Sequence, residues 1–125
     1  MSLARYTAVQ NAASPRDIEL RAFRYVNGLL AAAGDTAARA MALNKTHQLW
    51  SLLLADLMLP GNALPADLKG QLISLGLWAQ REAAARLDDA GGLAPLIELH
   101  RDMIAGLEAQ VVTAATAPAF VVGAA

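Results

Sequence analysis

Gln71-Leu72-Ile73-Ser74-Leu75-Gly76-Leu77-Trp78-Ala79, inside the longer stretch Leu64–Leu87, decides the fold class. A surface helix shows one apolar stripe and one polar face when its residues are placed about 100° apart. This stretch does not. Leu72, Leu75 and Ala79 face one way, Ile73 and Leu77 point about 100–140° away from Leu72, and Trp78 covers a third direction. Between Leu72 and Ala79 only Ser74 is polar. A strand reading fails because the apolar residues do not alternate with period two and the run is too long. A helix apolar nearly all round wants neighbours on several sides. The expectation is an all-α protein: a compact bundle of four to five helices around a central apolar helix over 64–88. Gly76 costs that helix about 1 kcal/mol relative to alanine, a cost that close approach of another helix offsets.

Outward from this stretch, the breakers come in order. Gly61 and Asn62, after Pro60, precede it, and Gly91-Gly92 follows it as the clearest loop of the chain. The segment before Pro60 predicts a helix over Ala37–Leu59, capped by Asp35 or Thr36. Its stripe is Leu43, His47, Trp50, Leu53, Leu54, Leu57 and Met58, with Asn44, Lys45, Gln48 and Asp56 opposite. Ahead of it, Ser14-Pro15-Arg16-Asp17 is a helix start, with serine as cap, proline in the first turn and an early negative charge. Ile18, Ala22, Phe23, Val26, Leu29, Leu30 and Ala33 make its apolar face, and Gly34 ends it. Leu3–Ala13 can form a short helix with Tyr6, Val9 and Ala13 on one side. The last helix is expected over Ala94–Glu108, with the stripe Leu96, His100, Met103, Ile104 and Leu107. The domain reading is a single helical domain over 1–108 and a flexible tail over 109–125, rich in Ala, Val and Thr.

With 125 residues the chain is one domain with a real core. Its net charge of −1 has no basic cluster behind it, which counts against nucleic acid as a partner. There is no cysteine, so disulfides and thiol chemistry are excluded. Met1–Ala13 lacks the apolar core of a signal peptide, and the most apolar run, Leu49–Leu59, is too short for the roughly 20 residues a bilayer needs. A cytoplasmic protein with no membrane contact is expected.

Catalytic and metal patterns are missing. His47 and His100 each fall in an apolar stripe, and neither is joined by the ligand spacing a metal site needs. Both are read as structural. Asp88 and Asp89 lie at a helix end and read as a solvated terminus. Ser14, Ser51 and Ser74 lack a nucleophile-elbow context, and Gly91-Gly92 follows no strand, so it is no phosphate cradle. Trp50 and Trp78 are expected as core anchors. The expectation is a protein with no enzymatic activity and no cofactor.

One combination of residues is more specific than its parts. Tyr6 with Val9-Gln10, Ser14-Pro15-Arg16, Leu49-Trp50, Asp56, Gly61-Asn62-Ala63-Leu64-Pro65 and Leu68 occur in that order. Ile73-Ser74-Leu75-Gly76-Leu77-Trp78, Pro95-Leu96-Ile97, Met103-Ile104 and Gly106-Leu107 complete it. Over roughly residues 3–108 this resembles the FlaF family of alphaproteobacterial flagellar biosynthesis regulators. The chain departs from that pattern at Thr46-His47-Gln48 and at His100 before Arg101. The resemblance implies a non-enzymatic cytoplasmic protein that supports flagellin production and export. Flagellin is then the implied partner, with an FlbT-type regulator as a second. Direct binding of nucleic acid, or a purely structural bundle or homodimer, are the alternatives. For a partner surface, Leu49, Leu52 and Leu59 lie on the outward side of their helix near the Pro60–Asn62 loop, with Asn44, Asp56 and Asn62 as polar neighbours.

Overall fold

The computed structural model describes the backbone of residues 15–116 and the side chains of residues 15–110. Four helices make up the described chain: α1 (Pro15–Ala32), α2 (Thr36–Leu57), α3 (Ala66–Leu87) and α4 (Ala94–Thr116). No strand occurs among the described residues, so the all-α bundle expected from the sequence is what forms. The expected helix over Leu3–Ala13 lies outside the described residues. At the other end α4 runs on past Glu108 to Thr116, so the boundary placed at residue 108 falls inside a helix.

Short connections join consecutive helices. α1 packs against both α2 and α4, and α2 packs along α3. α3 and α4 barely touch. The result is an up-and-down bundle with three closed seams and one seam left largely open.

Local chemistry places each helix. Pro15 opens α1 with Asp17 in the first turn. The Asp35 side chain accepts the Ala38 N–H at 2.7 Å, capping α2 as serine-like side chains do. Arg39, on the first turns of α2, donates through Nη2 to the carbonyls of Arg86, Asp89 and Gly91 at 3.2, 3.3 and 2.6 Å. That contact ties the α3–α4 connection to α2, and it satisfies carbonyls that the end of α3 leaves without helical partners.

The core sits around α2, not around α3. Trp50, Phe23, Leu43, Leu96, His100 and Thr46 are the largest fully buried side chains. The Phe23 ring meets Trp50 edge-on at 5.5 Å and His100 at 5.4 Å, while Trp50 and His100 lie nearly parallel at 6.2 Å. This T-shaped geometry is the arrangement that aromatic quadrupoles favour.

The expected central position of the 64–88 helix is corrected here. Only Gly76, Ala79 and Ala83 of α3 are buried, while Leu75, Leu77 and Trp78 are 39%, 45% and 36% exposed. The reason is steric. Small residues three and four apart let the α3 backbone lie against α2, and the large apolar side chains are left on the flanks and outer face. A Cβ added at Gly76 would lie 2.8 Å from Leu54 Cδ2 and 3.0 Å from Trp50 Cε3. The close approach expected at Gly76 is thus real, but it takes place at the edge of the bundle. Trp78 is accordingly not a core anchor; Trp50 is.

Smaller displacements follow the same logic. His47 and Met58 leave the expected stripe of α2 and are exposed, and Thr46 takes the inward position beside them. Its hydroxyl donates to the Ala42 carbonyl at 2.9 Å, which makes burial of a polar group tolerable. Ile18, expected inward on α1, is 55% exposed. Asn27 is buried instead, and its Nδ2 donates to the Ile97 carbonyl at 3.3 Å.

Candidate functional site

A groove runs along the open seam. Its geometry begins in the connection between α2 and α3. Asn62 organises that turn: its backbone N–H donates to the Leu59 carbonyl at 3.0 Å and its Nδ2 to Asp56 Oδ2 at 3.2 Å. Its Oδ1 accepts the Leu64 N–H at 3.1 Å, and its carbonyl accepts from Lys69 Nζ at 2.6 Å. One asparagine therefore bridges the end of α2, the turn and the first turns of α3, the local bonding that makes asparagine a turn residue. The turn directs Leu64, Leu68 and Leu72 along one wall of a groove.

Leu53 and Leu57 of α2 form the floor, and Met103, Gly106 and Leu107 of α4 form the opposite wall. The groove has a volume of about 720 Å³ and lies at the end of the bundle where α1 begins, with Pro15, Arg16 and Glu19 at its margin. Its lining is mostly aliphatic. Charges stand at the edge: Asp56, Asp102, and an Arg16–Glu19 pair at 3.2 Å that neutralises itself. Gly106 contributes open space, since a Cβ added there meets no atom within 4 Å. An apolar floor with a polar, acid margin suits the apolar face of an amphipathic helix.

The residues expected to meet a partner separate into two groups. Asp56 and Asn62 lie on the groove and in its turn. Leu52 and Leu59 are 73% and 57% exposed on the flank beside it, next to Met58, so these four gather around the end of α2. Leu49 is half-buried and packs against the core. Asn44 is exposed but stands twelve residues before Asp56, about 18 Å along the helix. The α3 wall was not among the expected residues; the α4 wall falls within Leu96–Leu107, the stretch that the sequence offers as the second place for a groove. The signal for the α3 wall was in the chain, because a helix apolar all round leaves some apolar residues over after packing on α2.

The histidines divide as well. His47 is exposed. His100 is fully buried, and its Nε2 accepts the Trp50 Nε1–H at 3.0 Å. Its proton is therefore on Nδ1, which has no hydrogen-bond partner among the described residues. Burial pushes this imidazole down from 6.5 to about 4, so it is neutral at physiological pH. Among the described residues no three of His, Cys, Asp and Glu come together as metal ligands, and no helix is long and apolar enough to cross a membrane.

The family model described as flagellar protein FlaF matches residues 2–107. No curated protein and no solved structure matches the chain.

Proposed function

The chain belongs to the FlaF family of flagellar proteins, and we propose that it acts by holding an amphipathic helical segment of unassembled flagellin in the open seam. The observation that carries this reading is the groove itself: an aliphatic floor and walls, open to solvent, at the one seam the bundle does not close. Flagellin that has not polymerised carries amphipathic terminal segments, and their apolar faces would otherwise find each other. A groove that covers such a face keeps the subunit apart from its copies until export, in the helix-in-groove mode. The work is done in the cytoplasm, before export, and it needs no cofactor, no nucleic acid and no bond-making step. An FlbT-type regulator would meet the exposed flank of Leu52, Met58 and Leu59, which stays outside the groove.

Gly106→Leu tests the reading. Nothing stands within 4 Å of the added Cβ, so the side chain grows into the groove and not into the core. The substitution also removes a helix-interior glycine, worth about 1 kcal/mol. The variant is expected to melt no lower than the parent chain and to lose binding to purified monomeric flagellin in titration calorimetry. Unchanged flagellin binding by a folded Gly106→Leu protein refutes the groove as the site.

A further inference from the structure

We propose that the outer face of α3 is the contact of a homodimer: a second copy of this chain packs on it antiparallel, about a two-fold axis at Ser74. Gly76, Ala79 and Ala83 are the buried side of α3. Ser74 is exposed and lies about 140–200° round the helix from all three. Within about 60° of Ser74 stand Asp67, Gly70, Gln71, Leu77, Trp78 and Arg81, all of them exposed. The bundle thus leaves a leucine and a tryptophan side by side in solvent on this face, and tryptophan is enriched among the residues that carry most of the energy of protein interfaces.

Charge selects the occupant and its direction. Asp67 and Arg81 stand seven residues either side of Ser74, each within about 20° of its direction. Neither makes an ion pair among the described residues. The axis sets Asp67 opposite Arg81 of the second copy and Arg81 opposite Asp67 of the second copy, so both pairs form at once. A parallel arrangement would set aspartate against aspartate and arginine against arginine. A face with one acid and one base at equal distances from its centre is complementary to itself, as a two-fold contact requires.

Shape agrees with charge. Asp67, Gly70, Gln71, Ser74 and Leu75 line a shallow depression centred about 4 Å from Ser74 toward the start of α3. Trp78 stands about 6 Å from Ser74 in the other direction, on the same side of the helix as the depression. The axis therefore carries the indole of the second copy over the depression. Leu77 of the second copy comes over Gly70, where an added Cβ meets no atom within 4 Å. Each copy supplies both the projecting side chains and the openings that receive them.

The contact runs from Asp67 to Arg81, about 21 Å of helix. One helix on one helix sits at the small end of specific interfaces, below about 1,200 Å², so the dimer is a weak one, with a Kd of about 10–100 μM. Leu68 and Leu72 of the groove wall lie about 120–160° round α3 from Ser74, so the groove of each copy stays outside the contact. The dimer does not rest on flagellin binding and stands or fails apart from it.

Analytical ultracentrifugation of the full chain, from about 5 to about 300 μM, tests the proposal. The mass should rise from one copy toward two across that range. Ser74→Glu sets two like charges on the axis; it should weaken association about tenfold or more and leave the melting temperature nearly unchanged. Asp67→Arg and Arg81→Asp should each weaken association about tenfold. An equimolar mixture of these two variants should dimerise as the parent chain does, because the mixed dimer regains an opposite-charge pair at both ends. A chain that stays monomeric at about 300 μM overturns the proposal. So does a dimer that Ser74→Glu leaves intact, which would put the contact on another face, and so does a mixture that associates no better than its components, which would refute the antiparallel register.

Discussion

Acidification should weaken this fold through one residue. His100 is fully buried, accepts a hydrogen bond from Trp50 through Nε2, and has no partner for Nδ1 among the described residues. Protonation would convert Nε2 from an acceptor into a donor facing the Trp50 N–H, and it would leave a charge among Phe23, Trp50 and Leu96. Burial lowers the folded-state pKa from 6.5 to about 4. The unfolded chain therefore binds the proton first, and stability falls as pH drops. The contribution is fully present above about pH 6.5 and is lost progressively down to about pH 4. One pKa unit is worth about 1.4 kcal/mol, so the loss is roughly 2 kcal/mol at about pH 5 and roughly 3 at about pH 4. Against a typical stability of about 5–15 kcal/mol this is large. Urea unfolding followed by tryptophan fluorescence, at about pH 7.5 and about pH 5, measures it. His100→Gln is the control, since a glutamine oxygen can accept from Trp50 and cannot be protonated. The expected outcome is a loss of about 2 kcal/mol in the parent chain and a much flatter profile in His100→Gln. Equal stability at the two pH values in the parent chain, or an undiminished slope in His100→Gln, would refute the reasoning.

The two tryptophans should respond unequally. Trp50→Ala removes a fully buried ring and should cost about 3–5 kcal/mol, whereas Trp78→Ala, at 36% exposure on the edge helix, should cost about 1–2, both read from thermal melts. Gly76→Ala should destabilise by about 1–3 kcal/mol, because the new methyl meets the fixed Trp50 ring at 3.0 Å. Gly106→Ala should instead stabilise by up to about 1 kcal/mol, since nothing stands in its way. Melting temperatures that move in the same direction for the two glycine variants would contradict the packing described.

Where a helix has one strong stripe, the sequence reading and the structure agree. Phe23, Val26 and Leu30 on α1, Leu43, Trp50 and Leu57 on α2, and Leu96, His100 and Leu107 on α4 are all inward as their spacing requires. Ile18 and Met58, at helix ends, are exposed against expectation, and elsewhere the error is of one position, as with Thr46 and His47, where two adjacent residues compete for the edge of the face. Thr46 wins because its hydroxyl can bond the Ala42 carbonyl one turn back, and the larger His47 stays in solvent. On α3 the reading fails for a physical reason. Hydrophobicity ranks Leu75, Leu77 and Trp78 above Gly76, Ala79 and Ala83 as core residues. Close packing of two helices ranks them the other way, because only small side chains let the axes approach. Nothing local to α3 says which rule applies; the answer depends on Leu54 and Trp50 of α2.

The groove follows from that same choice. Drawn against α2 by its small residues and held at its start by the bonds of Asn62, α3 is left barely touching α4, and Leu64, Leu68 and Leu72 face open space. The breaker Gly61-Asn62 was legible; the separation of two helices that it permits was not, since it is set by contacts far apart in the chain. Two of the four helical glycines among the described residues, Gly76 and Gly106, make the point. Gly76 costs its helix about 1 kcal/mol, and packing against Leu54 and Trp50 offsets it. Gly106 carries the same cost with no atom near enough to offset it, on the wall of a groove whose other residues are aliphatic. A larger residue there would strengthen α4 and fill the groove. The seam that glycine at 106 helps keep open is the one to which the proposed partner helix is assigned.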